Sequence, residues 1–412
     1  MKLLRSLATA STILLLVLPL SAPVRAAVPR THQHDVLVLR VGDGMRSAFV
    51  TLDSTGLAPR RLPLGLVDGK AHTLYTAAPL AGGHSSLIRA IDVLSGRTLH
   101  ALTVVGVYST ARANFAAATL SFDGHWLALQ SAVSRRGRTD ALVVDTTAMR
   151  PLTTVHLTGR FGLDAIDAEG SRLYLIESLS GHGPGAYRVR SYEIAQHALD
   201  PGPIAEKSDT TGTMSGVAWT RAWSPDGKWL FTLYVHPGHA GAFIHALGVE
   251  YRIAQCIFLP RTDATAAALA YYTLAVSPDA TALYAVNPLL GHATAIRGSL
   301  PYGSQDQAAL PQRAGSPPHA MKSSVMSSDG RTVFVATNGG VWAVDTRSLA
   351  VRATYLKGQE VASVAFSRNG RRLYALVPRH GLVAVLDPTS GRLLRTMPEA
   401  TGAWGIAQVT SE

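Results

Sequence analysis

Residues 322–358 read KSSVMSSDGRTVFVATNGGVWAVDTRSLAVRATYLKG, and residues 361–397 read VASVAFSRNGRRLYALVPRHGLVAVLDPTSGRLLRTM. Laid one over the other, they carry the same signals in the same order, about 40 residues apart. A short apolar run ends in a Ser-x-Asp/Asn-Gly turn, at 327–330 and at 367–370. A β-branched and aromatic run follows, then a Gly-containing loop, a third run closing on Asp345 or Asp387, a turn, and a fourth run. Four short strands with turn signals at fixed offsets are the pattern of one β-propeller blade.

Working outward, the turn after the first strand is found seven times: Asp68-Gly69, Asp123-Gly124, Glu169-Gly170, Asp226-Gly227, Asp279-Ala280, Asp329-Gly330 and Asn369-Gly370. Asp and Asn close such turns on their own backbone, and Gly supplies the positive φ. Each turn precedes a strand-like run, such as HTLYTAA at 72–78 or KWLFTLY at 228–234. At the ends, DVLVLRV (35–41) and SAFVTLD (47–53) lack an inner partner, and WGIAQV (404–409) reads as an inner strand with nothing after it. Pairing the two termini closes the ring and leaves no open edge. The expected fold is therefore all-β, a seven-bladed β-propeller of four-stranded antiparallel blades, with eight blades as the alternative. The spacing between Gly56 and Asp68 looks too short for an outer strand and the next inner one, which favours seven. In the fifth unit, a Pro- and Gly-containing insertion at 299–320 stands where an outer strand is expected, and 205–216 is a second long connection.

The runs SPDGKWLF (224–231), SPDATALY (277–284), VAVLDPTSGRLLRT (383–396) and TGAWGIAQV (401–409) resemble the bacterial YVTN and WD40-like (TolB-type) propeller repeats. The resemblance covers nearly the whole chain after the leader. It implies the propeller fold and leaves function open, because such propellers include scaffolds, surface-layer proteins, lactonases and docking components.

Lys2 and Arg5, an apolar run centred on 13–20, and small residues up to Ala26 and Ala27 form a secretory signal, with cleavage expected after Ala26. The expected organisation is a signal peptide at 1–26, a flexible N-terminus at 27–34 and one propeller domain at 35–412. That places the protein outside the cytoplasm, with no transmembrane segment in the mature chain. Lys2, Arg5 and Arg25 leave with the leader, taking the formal charge from +11 to +8. In an exported protein this balance suits an anionic envelope polymer or another protein, and not nucleic acid. The one cysteine, Cys256, lies in an apolar run where a buried, inert thiol is expected.

Five units place histidine in the loop between second and third strands: His84, His182, His236 with His239, His292 and His380. These loops fan apart with the blades, so no common metal site is expected, and no cofactor or metal is assigned. The inner strands carry Asp164, Arg221 and Lys322 as their only charges. Asp164 and Arg221 are expected to form a structural ion pair across the channel, with no second carboxylate for acid–base work. Trp229 and Trp342 are expected to pack between blades. The leading expectation is a monomeric, non-catalytic binding or scaffolding module. Its surface is Arg135, Arg136, Arg138, His182, Lys207, Trp219, Arg221, Trp223, His236 and His239. The alternative is a propeller enzyme of the lactonase or quinoprotein-dehydrogenase type, with its site at the channel mouth.

Overall fold

In the computed structural model, each short apolar run becomes one strand of an antiparallel sheet, because the turn signals on either side fold the chain back at once. The structure describes residues 34–42, 47–54, 59–70, 72–110, 117–133, 137–204, 212–236, 241–310, 323–398 and 402–411. Eight sheets follow one another as the blades of a propeller. We number the blades in chain order.

The Ser-x-Asp turn owes its recurrence to three hydrogen bonds. Ser327 Oγ donates to Asp329 Oδ1 at 2.6 Å, the Arg331 N–H donates to the same oxygen at 3.0 Å, and the Thr332 N–H donates to Ser327 Oγ at 2.9 Å. Ser121 with Asp123, Ser224 with Asp226, Ser277 with Asp279 and Ser367 with Asn369 repeat the first of these bonds. Gly330 takes φ of 70°, a left-handed value that a side chain resists.

There are eight blades, the alternative that the sequence left standing. Blade 1 consists of Asp35–Val41, Ala48–Asp53 and Arg60–Leu62, with Ala403–Ser411 from the other end of the chain as its inner strand. A blade closed in this way needs no turn between its first two strands, so seven turns belong to eight blades. The spacing after Gly56 suffices because Arg60–Leu62 and the inner strand of blade 2, Leu66–Val67, are both very short. Gly65 allows this: a Cβ there would lie 2.2 Å from the Tyr75 carbonyl oxygen. The sixth blade also differs from expectation. Ser304–Ala309, inside the supposed insertion, pairs with His292–Arg297 as an ordinary outer strand. Its sequence, SQDQAA, is polar because an outer strand faces water.

Both faces of each blade are covered by neighbours, and the buried side chains fall into eight clusters, one per blade interface. Alternation along the strands decides which interface a residue joins. Leu37 and Leu39 face blade 8, whereas Val38 faces blade 2. Burying a side chain of this size stabilises by about 1.5–3 kcal/mol, so the fold rests on these clusters. Trp229 lies between blades 5 and 6 and Trp342 between blades 6 and 7, as expected. At the ring closure, Tyr374 Oη of blade 8 donates to Asp35 Oδ2 of blade 1 at 2.6 Å, with both residues buried. Among the described residues, no helix is long and apolar enough to cross a membrane.

Candidate functional site

A cavity of about 920 Å³ opens where blades 3, 4 and 5 meet, on the face that carries the loops between second and third strands. Three elements supply its charged wall. The third strand of blade 3, Arg138–Asp145, begins there with Arg138 and Asp140. Arg160 and Phe161 lead into the inner strand of blade 4, Phe161–Ile166. The inner strand of blade 5, Val217–Trp223, contributes Arg221, and Tyr187 and Tyr234 form the aromatic side.

Asp140 is the carboxylate among these lining residues, and it is already engaged. Arg138 Nε lies 3.0 Å from its Oδ1, and His156 Nδ1 lies 2.6 Å from the same oxygen. Burial pushes the Asp140 carboxyl up, but hydrogen bonds from His156 and Arg138 outweigh it and hold the group below its ordinary value. Arg160 is exposed and makes no side-chain hydrogen bond or ion pair with a described residue. Among the described lining residues there are thus three guanidinium groups, of which Arg138 is committed to Asp140.

Deeper in, Arg221 binds Asp164 twice. Its Nη2 donates to Oδ1 at 2.6 Å and its Nη1 to the backbone oxygen at 3.1 Å, with Asp164 only 1% exposed. The expected ion pair is present, between neighbouring blades 4 and 5. Asp164 is the extra residue of a β-bulge between Leu163 and Ala165, which re-aims its side chain toward blade 5. The sequence-based expectation of no further carboxylate needs correction, since Asp140 stands at the mouth, placed there by a third strand and not an inner one.

Behind Arg221 lies an aromatic layer. The rings of Tyr187 and Tyr234 stack at 4.8 Å, and His245 meets Tyr234 edge-on at 6.1 Å. Burial pushes both phenols up, Tyr187 strongly, and pushes His245 down to about 4. A second cavity, of about 450 Å³, lies beyond this layer, with His182, Met214, His236, Phe243 and Cys256 on its wall.

The expected surface residues are distributed as follows. Arg138 and Arg221 share the larger cavity, and His182 and His236 share the smaller one. Trp219 is 46% exposed, at a bulge in the inner strand of blade 5. Trp223 sits at the far end of that strand, its ring 5.7 Å from Phe122, away from both cavities. Arg135, Arg136, Lys207 and His239 lie outside the described residues. Asp140, His156, Arg160 and Met214 were missed. Cys256 is only partly buried and faces a cavity, contrary to the expectation of an inert core thiol. Among the described residues, no three His, Cys, Asp or Glu side chains are grouped to hold a metal ion.

No protein-family model matches the chain, and no curated protein sequence matches it. Solved structures do. Apo AztD from Citrobacter koseri is 12% identical with a TM-score of 0.57, covering 92% of this chain and 98% of that one. The dihydro-heme d1 dehydrogenase NirN in complex with DHE is 14% identical with a TM-score of 0.52, covering 90% of this chain and 74% of that one. At such identities the likeness is one of fold, and it is to β-propellers.

Proposed function

We propose that this chain is an exported binding protein of the YVTN-like propeller type, and that its larger cavity takes an anionic ligand. The observation that carries this reading is the exposed Arg160 guanidinium, without a side-chain partner among the described residues, beside Arg138 and Arg221, whose charges are met by Asp140 and Asp164. Guanidinium groups recognise carboxylates and phosphates through paired hydrogen bonds, and more strongly in a partly desolvated cleft. Phe161 and Tyr187 offer apolar area beside the charges, the mixture typical of ligand clefts. The basic balance of the mature sequence favours approach of the same ligands. An acidic envelope polymer fits this chemistry. The structural neighbour NirN is described with DHE, so a heme-type ring also belongs among the ligands tried.

The test is calorimetric titration of the mature chain with polyphosphate, acidic oligosaccharides and a heme-type ring, at two salt concentrations. One class is expected to bind, with affinity falling as salt rises and falling at least tenfold in Arg160→Ala, about 1.4 kcal/mol. Absence of binding to every class, or indifference to Arg160→Ala, rejects the reading. A second reading, catalysis at the channel mouth, is favoured by the His156–Asp140 contact, in which a carboxylate orients an imidazole. Turnover of a lactone panel that disappears in His156→Gln would establish it.

A further inference from the structure

The smaller cavity lies at the seam between the outer parts of blades 4 and 5, and its chemistry differs from that of the larger one. Met214 comes from the short strand Met214–Ser215, which pairs with the third strand of blade 4. Cys256 comes from the outer strand of blade 5, Ile253–Phe258. Their sulfurs are 3.6 Å apart. The wall around them is otherwise mainly apolar, with Ile204, Phe243, Ala254 and Phe258, and no carboxylate is among its described residues.

We propose that this seam binds one thiophilic monovalent ion, Cu(I) or its analogue Ag(I), through Met214 Sδ, Cys256 Sγ and the imidazole of His245. The two sulfurs have the required spacing. With metal–sulfur bonds of about 2.3 Å, sulfurs this far apart subtend an angle of roughly 100° at the ion, close to tetrahedral.

The third ligand follows from strand register. His245 stands directly opposite Cys256 in the ladder, so the two side chains leave the same face with Cβ atoms about 4.5–5.5 Å apart. His245 is wholly buried, and neither ring nitrogen has a hydrogen-bond partner among the described residues. A buried imidazole without a partner is costly and calls for a reason. A neutral imidazole nitrogen is a metal ligand through its lone pair.

Ligand softness selects the ion. A thioether, a thiolate and one imidazole suit Cu(I), whereas divalent zinc favours a set completed by further His, Cys or carboxylate groups. No such set is grouped among the described residues. His182, on the same cavity wall, is exposed, and its Nδ1 lies 3.0 Å from the Ser180 carbonyl oxygen. Nδ1 therefore donates there and Nε2 carries the lone pair, a first stop for an incoming ion. On binding, the Cys256 thiol releases its proton to solvent and the sulfur bonds the metal, with no electron transferred.

The experiment titrates the purified, reduced, full mature chain with Cu(I) under anaerobic conditions against a chromophoric chelator, with native mass spectrometry for stoichiometry. One ion per chain is expected. Cys256→Ser should abolish binding, Met214→Leu and His245→Phe should each weaken it at least tenfold, and His380→Ala should leave it unchanged. Met214→Leu conserves volume, so its metal-free melting temperature should match the parent. If His245→Phe does not fold, the Cys256 and Met214 variants decide the matter. Sub-stoichiometric uptake, affinity indifferent to Met214→Leu, or Zn²⁺ bound as tightly as Cu(I) overturns the proposal.

Discussion

The Asp and Asn residues of the recurring turn do the same work in two charge states. Asp329 accepts from Ser327 and from the Arg331 N–H, and these bonds, the serine bond first, hold its carboxyl below the ordinary value. Asp279 is lowered in the same way by Ser277 and Thr281. Asn369 makes the corresponding bonds, 2.8 Å from Ser367 and 3.0 Å from the Arg371 N–H, with no charge to titrate. Because the folded carboxyls titrate below their unfolded value of about 4, their contribution is complete above that pH and drains away as the pH falls through the folded values. Denaturant unfolding at pH 5 and pH 3 is therefore expected to show a loss at pH 3. The double variant Asp279→Asn, Asp329→Asn should shrink that loss while changing stability little at pH 7. An unchanged difference between the two pH values would show that these turns do not govern acid sensitivity. Asp329→Ala, which removes the acceptor altogether, is expected to cost about 1 kcal/mol at pH 5 and less at pH 3.

At the scale of strands, the bulge that exposes Asp164 to blade 5 makes the Asp164–Arg221 contact a pin between two inner strands. Removing one member of a buried pair strands the other, at a cost of about 3–5 kcal/mol. Arg221→Met is expected to lower stability by that order in urea titrations, and Asp164→Ala combined with Arg221→Met should recover part of the loss. A double variant as unstable as the sum of the singles would mean the pair is not coupled. This contact was legible because charges are so rare on the inner strands that two of them had few other partners. Arg160 and Asp140 were not legible for the opposite reason. Arg160 sits in a connection between blades, and Asp140 two residues into a third strand, positions where charge is unremarkable. Only the angle between blades, which no local pattern encodes, turns them into one cavity. The Met214–Cys256 contact was hidden in the same way, since 42 residues and a change of blade separate the two sulfurs.

At the scale of the molecule, the turn pattern repeats faithfully but does not count blades, because the blade that joins the termini is the one without a turn. The ring depends on that join. Ala403–Ser411 pairs along the whole of Asp35–Val41, with bulges that follow Val38 and Arg40, and it buries Ala403, Ile406 and Val409 against blades 1 and 8. The Tyr374–Asp35 hydrogen bond and the Arg395 bond to the Ser54 carbonyl, 2.5 Å long, span the same join. Tyr374→Phe leaves the buried Asp35 oxygen short of a donor and is expected to cost about 1–3 kcal/mol without opening the ring. Deleting residues 402–412 does far more. It uncovers the cluster between blades 1 and 8 and leaves Asp35–Val41 as an unpaired edge that can template association. Losing three buried apolar side chains and one ladder amounts to about 5 kcal/mol or more, comparable with the whole stability of many proteins. The truncated chain is expected to elute as aggregate on size exclusion and to be cut by protease in blades 1 and 8 first. Adding the missing strand as a separate peptide should restore protection there, since the rest of the ring already presents its partner. A truncated chain that stays monomeric and equally resistant would show that the eight blades hold together through their apolar interfaces alone, with the closing strand a covering and not a clasp.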